Sequence, residues 1–312
     1  MSFVDWKMLK FSAFHPIKWV FVYSCSIFVQ ELIPNLFIMK SITSTILLLF
    51  VSVYAFANVS SNEKEALIAI YNATNGAEWN TSWDLSKSVD KWYGIEVEND
   101  KVVEINLQFN NLQGSLPEEL GSLLYLRKIN FGFNKLTGNL PKSIASLKEL
   151  ISLELFMNSL EGNIPSELGE LKKLESLKLY SNKFTGSIPE SLMKLTNLKE
   201  LLLGSNFLSG NIPKQIHALS KLQKLSLMDN KLDGEIPVEI SQLSNLEELL
   251  LSTNQLTGDV PLEFVKLTKL NTIMVSDNNL NQEYISISGK TPNGLLQLEM
   301  QNSTATMDIE KE

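Results

Sequence analysis

The chain has 312 residues, of which 44% are hydrophobic and 20% are charged, a balance typical of a folded protein with an apolar core. This composition excludes a largely disordered chain. The formal net charge of -8 at pH 7 argues against a nucleic-acid partner, because binding to the phosphate backbone requires clustered Lys and Arg. The single cysteine, Cys25, has no partner for an internal disulfide.

The N-terminal part of the chain predicts a targeting segment. Residues 39–57 contain a Met-Lys start, an almost unbroken apolar run and the small-x-small motif Ala-Phe-Ala, as a secretory signal peptide does. The run is shorter than the roughly 20 apolar residues that a membrane span needs. We therefore expect a secreted or cell-surface protein with no stable membrane span after cleavage, and we interpret residues 1–38 as an extension outside the native protein.

Residues 58–101 are predicted to form an N-terminal cap. Ser60 and Glu63 match a capping box, and an apolar face follows, so we expect a helix from Asn62 to about Thr74. Tryptophans carry a large apolar area, and a cluster of them here is better explained by packing than by ligand binding. The tryptophans of this cluster are Trp79, Trp83 and Trp92.

Residues 102–285 contain eight repeats of 24 residues. The unit LxxLxLxxNxLxGxIPxxLxxLxx recurs without drift, which is the pattern of a solenoid. In a typical repeat, Leu177 and Leu179 alternate with Lys178 as the residues of a short strand do, so successive repeats should form a parallel sheet. The asparagine that follows should satisfy turn backbone groups, and the stacked side chains should form a ladder. The ladder residues are Asn110, Asn134, Asn158, Asn182, Asn206, Asn230, Asn254 and Asn278.

Residues 286–312 are predicted to be a C-terminal cap and a loose tail. A solenoid needs a cap at each end to cover its core and its strand edge. Leu296, Leu298 and Met300 alternate as a closing strand would, and the polar residues after them suggest a tail.

These residues resemble a known family, the plant-type leucine-rich repeats. Members include receptor-kinase ectodomains and polygalacturonase-inhibiting proteins, with relatives among secreted bacterial proteins. The resemblance lies in the LxGxIP segments and in the cap sequences ALIAIYNATNGAEW and KWYGIEV. The plant caps usually carry two cysteines where this chain has Asp90 and Val97, which favours the cysteine-poor bacterial branch. The resemblance implies an α/β solenoid: a curved superhelix with a concave parallel β-sheet, short helical or 3-10 convex segments and a helical N-terminal cap.

Catalysis has little support in the sequence. After removal of residues 1–57 the only histidine is His217, which the repeat phase places on the outer segment, without a cysteine beside it. No spaced His or Cys set predicts a metal site, and no motif predicts a cofactor. We therefore expect a protein that is not an enzyme, with a carboxylate-dependent hydrolase as the least favoured alternative.

Binding is favoured by the outward strand positions, which carry several large side chains in the first four repeats. Clusters of exposed aromatic residues commonly mark interaction sites. We expect a protein or peptide ligand, with a glycan as an alternative, on the concave face. The other interpretation is that some of these rings fold back over the turn as core. A second functional hypothesis is an inhibitor of a secreted polysaccharide-degrading enzyme. The predicted contact residues are Phe109, Phe133, Phe156, Met157, Lys178, Tyr180 and Met228.

Overall fold

A computed structural model describes residues 59–281 and 287–288. The extension predicted at 1–38 and the signal peptide predicted at 39–57 lie outside the described residues. So do the closing strand predicted around residues 296–300 and the tail after it.

Short strands recur twice in most repeats. In chain order they are β1 Ile95–Glu98, β2 Lys101–Asn106, β3 Gln113–Gly114, β4 Lys128–Asn130, β5 Lys135–Asn139, β6 Ser152–Glu154, β7 Ser159–Asn163, β8 Ser176–Lys178, β9 Lys183–Gly186, β10 Glu200–Leu202, β11 Phe207–Asn211, β12 Lys224–Ser226, β13 Lys231–Asp233, β14 Glu248–Leu250, β15 Thr257–Gly258, β16 Thr272–Met274, β17 Asn279–Leu280 and β18 Ile287–Ser288.

The first strand of each repeat joins one ten-stranded sheet, which we call the main sheet. Its order is β1-β2-β4-β6-β8-β10-β12-β14-β16-β18, and its strands from β2 to β16 are parallel. Leu177 pairs with Leu153 on one side and Leu201 on the other, so the register follows the 24-residue repeat. The predicted parallel sheet and solenoid fold are confirmed.

The alternation of side chains within a strand separates the core from the open face of the main sheet. Leu177 and Leu179 are fully buried, whereas Lys178 between them lies on the open face. The remaining apolar positions of this repeat, including Leu174, Phe184 and Leu192, are also buried. One hydrophobic core therefore runs through all the described repeats.

The other side of each repeat is made by the LxGxIP segment. It forms a second sheet, ordered β13-β11-β9-β7-β5-β3, and a separate pair, β15-β17. Gly186 has a φ of 75°, and a Cβ there would lie 2.6 Å from the Oδ1 atom of Asn163, so only glycine fits. From the third onward, each 3-10 helix follows a proline. The 3-10 helices are Gly76–Glu78, Val89–Lys91, Glu118–Ser122, Lys142–Ser146, Ser166–Glu170, Glu190–Lys194, Lys214–Ala218, Val238–Gln242 and Leu262–Lys266.

The N-terminal cap begins with the helix α1, Ser61–Ala73, within one residue of the prediction at each end. The backbone N–H of Glu63 donates to the hydroxyl of Ser60, which itself donates to the Glu63 carboxylate at 2.7 Å. The same carboxylate accepts a hydrogen bond from the backbone N–H of Val102 at 3.1 Å. This buried glutamate therefore fastens the helix to the first strand of the first repeat.

The tryptophan cluster packs inside the cap, as predicted. All three indoles are buried, and the rings of Trp83 and Trp92 stack with centroids 4.8 Å apart. Each indole N–H donates to a backbone carbonyl, such as that of Thr74 for Trp79 at 2.9 Å. Satisfied donors and buried rings leave no free surface for a ligand.

An antiparallel strand covers each edge of the main sheet. β1 pairs with β2 through a tight turn at Asn99 and Asp100, whose φ values of 49° and 63° suit the type of turn that joins twisted strands. At the other edge, β18 pairs with β16. Within the described residues, no helix has the length and apolar character that crossing a bilayer requires.

Candidate functional site

The asparagine ladder runs along the edge of the main sheet where its strands end. Asn158 Nδ2 donates to the carbonyl of Phe131 in the preceding repeat at 2.9 Å. It also donates to the carbonyls of Leu155 and Phe156 in its own repeat at 3.0 and 3.2 Å. Asn158 Oδ1 accepts from the Leu136 backbone N–H at 2.9 Å. Each such asparagine therefore joins two repeats. The same pattern recurs at Asn134, Asn182, Asn206, Asn230, Asn254 and Asn278.

The first member of the ladder serves the cap instead. Asn110 is buried, its Oδ1 atom accepts from the Thr81 backbone N–H at 2.7 Å, and its Nδ2 donates to the Thr81 carbonyl at 3.2 Å. The ladder thus continues from the repeats into the cap without a break.

The residue immediately before each ladder asparagine forms a second column, which we call the rim column. All of its members have a left-handed backbone, with φ between 52° and 59°. This conformation is tolerated by Asn and Asp but is unfavourable for bulky or β-branched side chains. The rim column consists of Phe109, Phe133, Met157, Ser181, Ser205, Asp229, Thr253 and Asp277.

Four rings from the first four repeats form a continuous aromatic row: Phe109, Phe133, Phe156 and Tyr180. The first two rings stack with centroids 4.0 Å apart and an interplanar angle of 15°. Phe133 meets Phe156 edge-on at 5.4 Å, and Phe156 stacks on Tyr180 at 4.8 Å. The structure therefore brings together all four aromatic contact residues that the sequence predicts.

The expectation that all four rings are exposed is wrong for Phe156, which is buried as the alternative interpretation allows for some of the rings, and Tyr180 is half-buried. The Phe156 side chain is only 6% exposed, whereas Phe109 and Phe133 are 59% and 37% exposed. Phe156 stands two residues before its ladder asparagine, outside the rim column, and its ring lies over Gly132. A Cβ at Gly132 would come within 2.5 Å of that ring, so the glycine makes the space that Phe156 fills. Phe156 therefore packs as a buried ring within the row, and the exposed apolar surface is that of Phe109 and Phe133.

Lys178 lies beside the aromatic row within an ion-pair cluster. Its Nζ atom is 3.3 Å from a Glu154 carboxylate oxygen and 3.2 Å from a Glu200 carboxylate oxygen. Burial alone would lower the pKa of Lys178, but the two carboxylates outweigh it and raise that pKa. Burial would likewise raise the pKa of Glu200, but the hydrogen bond from Ser176, followed by the interaction with Lys178, lowers it overall. Both carboxylates are thus already paired with the lysine, which is less available for a ligand than the sequence suggests.

The later repeats place smaller and more polar side chains on the open face. Met228, the last predicted contact residue, is half-buried, and the serines Ser226 and Ser252 are buried. Asp229 and Asp277 in the rim column are exposed. The sequence pattern already places both aspartates at outward strand positions, and it offers the polar surface around Ser226, Asp229 and Ser252 as the alternative place for a ligand.

Among the described residues, the candidates for catalysis and for metal binding do not form a site. His217 lies in the outer 3-10 helix Lys214–Ala218, where its Nδ1 atom is 3.0 Å from the Lys214 carbonyl oxygen. In the part of the chain that the structure describes, no group of three or more His, Cys, Asp or Glu side chains is placed to hold a metal ion.

Comparison with known families gives matches along the repeats. Two family models, both described as Leucine rich repeat, match the chain. One matches residues 172–232, and the other matches residues 101–123, 125–147 and 245–267. No curated protein matches the chain.

Solved structures also resemble this chain. One is the PEPR1–AtPEP1 complex, with 29% identity over 71% of this chain and 32% of that chain, and a TM-score of 0.65. A second is the Arabidopsis receptor kinase HAESA ectodomain in complex with an extended IDA peptide hormone, with 30% identity over 70% of this chain and 41% of that chain, and a TM-score of 0.58. A third is the Leptospira interrogans protein LIC12759, with 38% identity over 56% of this chain and 43% of that chain, and a TM-score of 0.51.

The chain spans 32% of the matched PEPR1 chain and 41% of the HAESA ectodomain, so it is similar to a part of each. The residues that match the family models lie within the repeats. By its repeats and its fold, this chain is a leucine-rich-repeat solenoid that is similar to the plant-type leucine-rich-repeat proteins.

Proposed function

We propose that this protein is a secreted or cell-surface recognition module that binds a protein or peptide ligand on the open face of the main sheet. Its contact surface is the exposed part of the aromatic row together with Met157. The observation that carries the proposal is the stacked pair Phe109 and Phe133, which is exposed and has a left-handed backbone.

Two free-energy terms oppose this pair in the unbound protein. A left-handed backbone costs about 1–2 kcal/mol for a residue with a side chain. Exposed ring area also forgoes the roughly 25 cal/mol per Å² that burial would contribute. Ser181 and Ser205 occupy the same position in other repeats, so the fold does not require a ring there. Strained or exposed groups that the fold does not need are characteristic of functional sites.

The structural comparisons support the same class of function. The HAESA ectodomain was solved with a peptide hormone ligand, and this chain is similar to 41% of it. Such receptors expose their repeats outside the cell, in agreement with the signal peptide that the sequence predicts. A peptide or protein is accordingly the ligand class that we favour over a glycan.

The charges beside the row do not favour hydrolysis. A carboxyl group that acts as a general acid needs a raised pKa, whereas the pKa of Glu200 is lowered. Glu154 and Glu200 both lie within 3.3 Å of the Lys178 ammonium, where a shared ion pair explains their position. We therefore propose a binding protein that uses no cofactor.

The proposal is tested by removing the exposed rings. The partner is captured from extracellular material, identified, and titrated against each variant. Phe109→Ala and Phe133→Ala should each weaken binding by about 1–4 kcal/mol, as the loss of an anchoring aromatic does. The matched control is Leu262→Ala, because Leu262 is an apolar side chain that is 87% exposed on an outer 3-10 helix. Unchanged affinity in both ring variants, with circular dichroism showing intact folds, would place the ligand elsewhere.

A further inference from the structure

The rim column changes its chemistry along the solenoid. Its first members are the rings Phe109 and Phe133, and Met157 follows in the third repeat. Two serines occupy the middle, and the later repeats bring the carboxylates Asp229 and Asp277. The column therefore has an apolar end and an acidic end, with small polar side chains between them.

The two aspartates differ from the other carboxylates of the open face. Within the described part of the chain, the side chains of Asp229 and Asp277 make no hydrogen bond and no ion pair, and both are exposed. The open-face lysines have glutamate partners: Lys128 with Glu104 at 3.2 Å, Lys178 with Glu154 and Glu200, and Lys224 with Glu248 at 2.9 Å. The aspartates thus leave uncompensated negative charge at one end of the rim column.

The spacing of the two ends can be read from the repeat. Phe133 and Asp229 are 96 residues apart, which is four repeats of 24. Neighbouring strands lie about 4.8 Å apart, so the two side chains are separated by about 19 Å along the column. An extended peptide rises about 3.3 Å per residue and covers this distance in about six residues.

We propose that the ligand is an extended peptide segment that lies along the rim column, with an aromatic or large aliphatic residue on Phe109 and Phe133 and a Lys or Arg about six residues away on Asp229. This inference rests on the proposed function and specifies the ligand of the same site. The ring pair offers an apolar platform, and an unpaired carboxylate selects a cation by charge complementarity. An acidic residue at the same position of the peptide would be repelled.

The test uses the full chain and a library of random twelve-residue peptides displayed on phage. Selected peptides should carry an aromatic or large aliphatic residue with Lys or Arg five to seven positions away. One selected peptide is then synthesised with a fluorescent label and titrated by anisotropy. Asp229→Asn and Phe133→Ala should each weaken its binding about threefold or more, and added salt should weaken it further. The matched control is Asp233→Asn, an exposed aspartate of the same repeat on the second sheet, which should leave affinity unchanged.

The outcomes separate this inference from the proposed function. Selected peptides that need Phe133 for binding but lack a basic residue would overturn the predicted charge pattern and leave the aromatic site in place. Selected peptides that need Phe133 but bind Asp229→Asn as tightly as the wild type would have the same consequence. Selected peptides that ignore both rim variants would overturn the proposed site as well. A library that yields no binding peptide would overturn the peptide inference, while the captured extracellular partner would still test the aromatic row.

Discussion

The asparagine ladder and the rim column are adjacent in sequence, yet they obey opposite rules. Each ladder position carries the same residue, because its amide satisfies backbone groups of two repeats at once. The rim column keeps only its backbone conformation, and its side chains range from Phe to Ser to Asp. In a repeat protein, what stays constant between repeats reports on folding, and what varies on the exposed face reports on binding. Substitutions in the ladder should therefore lower stability, whereas substitutions of exposed rim side chains should mainly change binding.

The largest effect is expected in the ladder. Asn182→Ala should lower the free energy of unfolding by about 3 kcal/mol, because orphaned buried backbone groups each cost about 1–3 kcal/mol. The groups that lose their partner include the Leu160 N–H and the carbonyls of Leu155 and Leu179. The control is the neighbouring rim residue, as Ser181→Ala should change stability by less than about 0.5 kcal/mol. Chemical denaturation gives both values, and equal losses would abolish the distinction between the columns.

The second test compares a buried ring of the aromatic row with an exposed one. Phe156→Ala should lower the free energy of unfolding by about 2 kcal/mol, the contribution of a buried ring. Phe109→Ala should cost less than about 1 kcal/mol, since that ring is 59% exposed. Both values come from chemical denaturation of the variants. A larger loss for Phe109→Ala would mean that the exposed pair is structural, which would remove the main support for a binding role.

The third test measures whether the ion pairs around Lys178 stabilise the folded protein. Glu200→Gln should lower stability at pH 7 by about 1 kcal/mol, as expected for a partly buried, networked pair. The pKa of Glu200 in the folded protein is below its ordinary value of 4.5, so its stabilisation is present above that pH. It is lost as the pH falls through the folded pKa.

Unfolding curves at several pH values should therefore show the wild type and the variant converging in acid. Glu161→Gln, at an exposed position of β7, is the control and should differ little from the wild type throughout. A difference for Glu200→Gln that stays constant down to pH 2 would show that the carboxylate charge is not what stabilises the cluster.

The smallest effect should have the opposite sign. Met157→Asn should raise the free energy of unfolding by about 0.5 kcal/mol, because asparagine tolerates the left-handed backbone that methionine resists. The same change should weaken ligand binding, since it removes an apolar side chain that is 41% exposed. Thr253→Asn, four repeats further along, should stabilise similarly without affecting the aromatic contacts. If Met157→Asn destabilised the protein, we would conclude that the methionine packs as part of the fold.

For the candidate site, the sequence predicted which residues meet but not how each one contributes. A spacing of 24 residues was enough to place Phe109 next to Phe133 and Phe156 next to Tyr180. The burial of Phe156 was missed because it depends on Gly132 in the neighbouring repeat, where the absence of a Cβ opens the space for the ring. Such a gap is a property of two repeats together, and the pattern within one repeat does not reveal it.

The sequence by itself determined the repeat length, the parallel sheet, the core positions and the capping helix. These features follow from local periodicity, which fixes the direction of each side chain relative to its own backbone. Only the tertiary structure decided which outward side chains stay accessible. It joined Lys178 to Glu154 and Glu200 across three strands, and among the residues that the structure describes it gave the carboxylate of Asp229 no hydrogen bond or ion pair. Burial and pairing are set by neighbours in adjacent repeats, and those contacts exist only once the repeats have stacked.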